Sequence, residues 1–194
     1  MLELKVCCVI LAAGMSIRFG SQKQLFKIDG TKSLAQIALD TANDSKADYV
    51  ILVVGSGASD ILSSLDLGRA DFVYNKDYNS GLSSSIKSGI ANMPIDANAA
   101  LLMVADQPFL KARLLDRMMD AYNESGKKIV ALSYDNEIRN PILFDRVFFS
   151  EIEKIEGDRG ARSIVQKHIF EADLINIEDK QAFVDIDSRD ALQQ

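Results

Sequence analysis

The stretch LAAGMSIRFGSQKQL, Leu11 to Leu25, leaves an apolar run and enters a turn that holds Gly14, Arg18, Gly20 and Lys23. Glycines and cations in that order offer backbone N–H groups and positive charge to phosphate. The spacing is G-x5-G-x2-K, which is neither the G-x4-G-K-[ST] of a P-loop nor the G-x-G-x-x-G of a dinucleotide fold. Gly14 lets a ligand approach the main chain, Arg18 can hold phosphate through a bidentate fork, and Lys23 can do so as a point charge. An ordinary turn with solvated cations has the same composition.

Four other stretches carry polar groups of the same kind. In ALLMVADQPFL an apolar strand ends in Asp106, Gln107 and Pro108, which places a carboxylate where the ladder stops. Hard oxygen suits Mg²⁺, which takes one or two carboxylates together with substrate phosphates, and Asp187 in VDIDSRDAL is the natural second ligand, with Asp185 as the other candidate. Asp106 also reads as a helix N-terminal charge and Asp187 as an N-cap. In NKDYNSGLSSSIKSGI, Asn75 and the serines Ser83, Ser84 and Ser85 suit a base or ribose, and equally a plain helix start. In EGDRGARSIVQKH, Gly157, Asp158, Arg159, Gly160 and Arg162 open a further helix and form a second anion-binding candidate, or a capped surface loop.

These groups need elements to bring them together. Apolar runs of strand length occur at 5–11, 48–54, 71–74, 100–105 and 128–134, mostly rich in β-branched residues and without strict alternation. Such runs are strands covered on both faces. Helical patterns lie at about 32–43, 58–65, 82–92 and 111–124, with Thr31 as N-cap of the first and Gly126 stopping the last. Alternation of strand and helix predicts an α/β fold with a mostly parallel sheet, whose ligands gather at the carboxyl ends of the strands. That edge would receive Gly14, Asn75, Asp106 and, after a short final run FVDI, Asp187.

Composition narrows the function classes. The 194 residues, 47% hydrophobic, fit one domain spanning 1–194 with a sizeable core. A net charge of −6 argues against nucleic-acid binding, so an anionic substrate must meet a local cationic cluster. No apolar run approaches the roughly 20 residues of a membrane span, and a cytoplasmic location is expected. Cys7 and Cys8 are adjacent in the first strand, point to opposite faces and read as buried free thiols. The single histidine, His168, has no nameable partner of catalytic type and reads as a structural or surface residue; with one histidine and only two cysteines, the composition argues strongly against a His/Cys zinc site.

Taken in order, LAAGMSIRFGSQKQL, GLSSSI, LLMVADQPFL, NPILF, GDRGARSIV and VDIDSRDAL resemble the MobA-like nucleotidyltransferases, and within them the molybdenum cofactor cytidylyltransferase branch. The resemblance covers nearly the whole chain. It implies a Rossmann-like three-layer α/β/α fold and transfer of a cytidylyl group from CTP to the phosphate of molybdopterin cofactor, with Mg²⁺ as cofactor, pyrophosphate as by-product and a molybdoenzyme as possible client. Carried over by motif, Leu11, Ala12, Ala13 and Gly14 would contact base and ribose, and Arg18 and Lys23 the phosphates. Asp106 and Asp187 would hold Mg²⁺, while Asn75, Ser83 and Ser84 would lie near the base. Asn140, Pro141, Gly157 and Asp158 would face the acceptor. The guanylyl branch typically has consecutive glycines where this chain reads Ala12 and Ala13, so CTP is expected over GTP. A sugar-phosphate nucleotidyltransferase and a non-catalytic carrier of the cofactor are the alternatives.

Overall fold

A computed structural model describes residues 4–16, 19–28, 30–158 and 160–186. Arg18, Arg159 and Asp187 lie outside the described residues.

The first strand, β1 (Val6–Ala12), is buried along its whole length, as a doubly covered run requires. It lies parallel between β2 (Tyr49–Val54) and β4 (Ala99–Val104), and β2 in turn pairs in parallel with β3 (Asp71–Tyr74) at the edge. On the other side, β6 (Glu137–Asp145) runs antiparallel to β4 and to β5 (Ile129–Tyr134), and β7 (Ala172–Asn176) closes that edge parallel to β5. The seven strands are ordered β3-β2-β1-β4-β6-β5-β7.

Helices cover both faces. Side chains of α1 (Leu34–Asn43), α2 (Ala58–Ser63) and α4 (Ala112–Ser125) pack on the face that carries Cys8, Ile10, Leu52 and Met103. Those of α3 (Leu82–Ala91), α5 (Phe149–Ile152) and α6 (Arg162–Lys167) pack on the face that carries Cys7, Val9, Ile51 and Leu102. This is the Rossmann-like α/β/α arrangement expected. α3 lies so close to the sheet that a Cβ on Gly89 would fall 2.4 Å from Val9 Cγ1. Cys7 and Cys8 are free, buried and on opposite faces, and burial pushes the Cys7 thiol up to about 12.

All five expected strands and all four expected helices are present, with bounds shifted by no more than two residues. Four local expectations change. β6 and β7 have no counterpart in the apolar pattern. The run FVDI is not a strand: residues 180–183 form a 3₁₀ turn, and Ile186 N–H then donates to Asp106 O at 3.0 Å. α1 is capped by Ser33, whose side chain accepts from Gln36 N–H, rather than by Thr31. Asp106 is not a helix N-terminal charge, because α4 begins only at Ala112 and has no acidic residue in its first turn.

Candidate active site

The opening loop leaves the carboxyl end of β1 at the centre of the sheet. Its shape is set by Gln24, a buried side chain in the short 3₁₀ turn Lys23–Leu25. Gln24 Nε2 donates to Ala12 O at 3.0 Å and to Gly14 O at 2.7 Å, drawing the loop back over the turn. Gln24 Oε1 accepts from Ser16 Oγ at 3.1 Å, and Ser16 Oγ accepts from Lys23 N–H at 3.1 Å. Ser16 takes a positive φ of 54° to reach both, an uncommon conformation for a side-chain-bearing residue.

That turn aims Lys23 at the end of β4. Lys23 Nζ lies 2.7 Å from Asp106 Oδ2, with the two side chains 17% and 25% exposed. The other oxygen, Asp106 Oδ1, is buried and accepts no hydrogen bond among the described residues. A buried carboxylate oxygen without a donor is costly unless a cation or donor completes it. Asp106 therefore fits a divalent cation: a hard oxygen at a cavity wall, where Mg²⁺ needs only one or two carboxylates beside substrate phosphates. Among the described residues, no group of three or more His, Cys, Asp or Glu converges, and Asp187 falls outside them. Asp185 is held by Gln107, whose Nε2 donates to its Oδ1 at 2.9 Å.

Opposite the opening loop, Gly81 caps α3 at φ 89°, where a Cβ would meet Gly157 C at 2.5 Å and Asp158 Oδ1 at 2.8 Å. Only glycine fits this crossing. Ser83 N–H donates to Gly157 O at 3.0 Å and fastens the 157–158 turn to the start of α3.

Between these walls lies a cavity of about 680 Å³. Leu11, Ala12, Ala13, Gly14, Lys23, Ser85, Asp106, Gly157 and Asp158 line it, so nine sequence-selected residues from four separate stretches meet in one space. Gly81 at the start of α3 lines it as well, and so do Gln24 and Tyr78, which lie beyond the residues that sequence selected. Asn75, Ser83 and Ser84 do not line it. Asn75 is buried and braces the end of β3 to α3, its Nδ2 donating to Ser84 Oγ at 2.9 Å and to Ser85 Oγ at 3.1 Å. Ser84 Oγ donates to Gly81 O at 2.9 Å. Asn140 and Pro141 are likewise away from the cavity wall, in β6 where the pairing with β5 jumps from Ile142 to Arg139. His168 is remote from the opening loop: its ring nitrogens lie 2.8 Å from Glu171 Oε1 and 2.9 Å from Glu151 Oε2, and its ring packs on Phe148.

Comparison with known proteins bears on this geometry. The nicotine blue oxidoreductase of Paenarthrobacter nicotinovorans is 27% identical over 187 residues, which cover 93% of this chain and 91% of that one. The bifunctional protein GlmU of Alkaliphilus metalliredigens is 27% identical over 156 residues, but the chain spans only 33% of its length. The crystal structure of Rv0371c from Mycobacterium tuberculosis H37Rv superposes with a TM-score of 0.87 at 26% identity, covering 98% of this chain and 97% of that one. A structure of the same protein in complex with manganese gives a TM-score of 0.78 at 25% identity, over 90% of this chain and 89% of the other. A family model described as the MobA-like NTP transferase domain matches residues 8–172, a span that runs from β1 to the start of β7 and includes the opening loop, Asp106 and the 157–158 turn. With that match over most of its length, the chain belongs to the family of MobA-like NTP transferase domains.

Proposed function

We propose that the chain transfers a cytidylyl group from CTP to the phosphate of a molybdopterin-type cofactor. The observation that carries the transferase part is the Lys23–Asp106 pair in a cavity also walled by the Leu11–Gly14 main chain and the Gly157–Asp158 turn. The cavity's volume is of the order that takes a substrate-sized ligand. Acceptor phosphate oxygen would bond to the α-phosphorus as the bond from that phosphorus to the bridging oxygen breaks, and pyrophosphate would leave with the electron pair. The nucleophile is already anionic, so the protein need supply only position and charge neutralisation. Mg²⁺ held by Asp106, with Asp187 as second carboxylate, would supply charge neutralisation at the phosphates. Lys23 and Arg18 would add cationic donors, and the loop carbonyls drawn in by Gln24 would shape the nucleoside end. The manganese complex of Rv0371c supports a divalent metal in this fold. Ala13, buried against the cavity, supports a pyrimidine by narrowing the space that consecutive glycines would leave.

The oxidoreductase named among the relatives favours a second reading, redox chemistry on a heterocycle within the same cavity. One assay separates the two. Pyrophosphate release is measured with each NTP, Mg²⁺ and either molybdopterin cofactor or sugar phosphates, alongside oxidation of NADH or NADPH with a dye acceptor. CTP- and molybdopterin-dependent pyrophosphate release, abolished in a folded Asp106→Asn variant, is the expected result. Release with a sugar phosphate only would move the acceptor, and dye reduction without release would overturn the transferase.

A further inference from the structure

The two oxygens of Asp106 are in different circumstances. Oδ2 accepts from Lys23 Nζ at 2.7 Å, whereas Oδ1 is buried without a hydrogen bond among the described residues. An ammonium and a divalent cation both seek this carboxylate, and their like charges repel at such range. The main chain of Lys23 is tied to the loop by its own N–H, which donates to Ser16 Oγ at 3.1 Å, a contact separate from that of its ammonium with Asp106. Both side chains line the same cavity, so an ammonium released from Asp106 stays among the groups that would surround a triphosphate.

We propose that Lys23 and the divalent cation exchange at Asp106. Without nucleotide the ammonium holds the carboxylate, and the metal–nucleotide complex displaces it onto the phosphates. This inference rests on the nucleotidyltransferase reading above. Lys23 thereby compensates a largely buried carboxylate that would otherwise stand uncompensated. The same contact lowers the apparent metal affinity by the fraction of time the carboxylate is occupied. Metal and nucleotide then bind cooperatively, because phosphates draw the competitor away.

Mn²⁺ alone, titrated by electron paramagnetic resonance against wild type, Lys23→Gln and Asp106→Asn, tests the exchange. Lys23→Gln should bind Mn²⁺ about tenfold or more tightly than wild type, as expected when a competing state is removed. With an unreactive CTP analogue present, the sign should reverse, Lys23→Gln binding the metal–nucleotide complex more weakly. A lysine that merely anchors the loop predicts weaker binding in both conditions. In the wild type itself, Mg²⁺ titrated into protein labelled with ¹³C at lysine Cε should shift the Lys23 resonance, a readout that does not depend on a variant folding. Equal or weaker Mn²⁺ binding by folded Lys23→Gln, or a Lys23 resonance indifferent to Mg²⁺, overturns the exchange while Asp106-dependent metal binding leaves the transferase reading standing. Mn²⁺ binding that survives Asp106→Asn overturns both.

Discussion

Replacing Gln24 by leucine should loosen the opening loop without touching the charges around it. Gln24 is the only described side chain donating to both Ala12 O and Gly14 O, and leucine leaves those carbonyls and the Ser16 hydroxyl without that partner. An unpartnered buried group costs about 1–3 kcal/mol, so melting temperature should fall, and KM for the nucleotide should rise more than kcat falls. An unchanged KM in a folded Gln24→Leu protein would show that the loop holds its shape by other means. Lys23 and Asp106 are legible in the sequence because a charge beside a turn, next to a buried run, interrupts an apolar pattern. Gln24 is not, since a glutamine between lysine and leucine in a loop reads as solvated. Nothing in linear order says that carbonyls ten residues earlier fold back over it. The signal for Asn75, Ser83 and Ser84 was their polarity at a strand end and a helix start, but the structure uses those groups to fasten β3, α3 and the 157–158 turn to one another.

At the scale of elements, strands that are buried on both faces declare themselves by long apolar runs, which is why β1, β2, β4 and β5 are readable. β3 is instead a mostly exposed edge strand, legible only as the short run DFVY and not covered on both faces as that run predicts. β6 hides because Glu137, Arg139 and Asn140 break its apolar pattern before the buried half begins, and β7 because it is a short edge strand with exposed residues. The last helices are as short as these strands are obscure, and a clasp of charges holds them. His168, closing α6, sits between Glu171 and Glu151, the latter on α5 and also 2.7 Å from Lys167. The Glu171 hydrogen bond raises the His168 pKa above the ordinary 6.5, partial burial opposes it, and Glu151 adds to the rise. Since the folded value is the higher one, the stabilisation is fully present below the unfolded pKa and fades as pH rises through the folded pKa. Calorimetry should therefore find His168→Gln less stable than wild type at about pH 6, with the gap narrowing towards about pH 8.5. A gap that widens with pH would mean that the neutral ring, packed on Phe148, is the stabilising form.

For the molecule as a whole, the cavity joins segments far apart in the chain: the end of β1, the end of β4, the start of α3 and the turn before α6. A ligand that fills it touches both layers of helices through the loops they support, so binding should be felt by the entire sheet rather than by one loop. With a net charge of −6, long-range attraction for a polyanion is absent, and affinity must come from groups at the cavity wall. A ligand that binds only the folded state at a hundred times its dissociation constant adds about 2.7 kcal/mol. In a chain of this length that corresponds to a rise in melting temperature of about 5–11 °C. Mg²⁺ with CTP should accordingly raise the midpoint by that amount in a single transition, and by less with GTP on the proposed preference for a pyrimidine, a discrimination by shape worth about a methyl group of contact. Asp106→Asn should melt near the wild-type temperature and lose most of the shift. Two transitions, of which only one moves with nucleotide, would mean that the cavity reports on one layer alone. A larger shift with GTP than with CTP would remove the support that the two alanines lend to a pyrimidine.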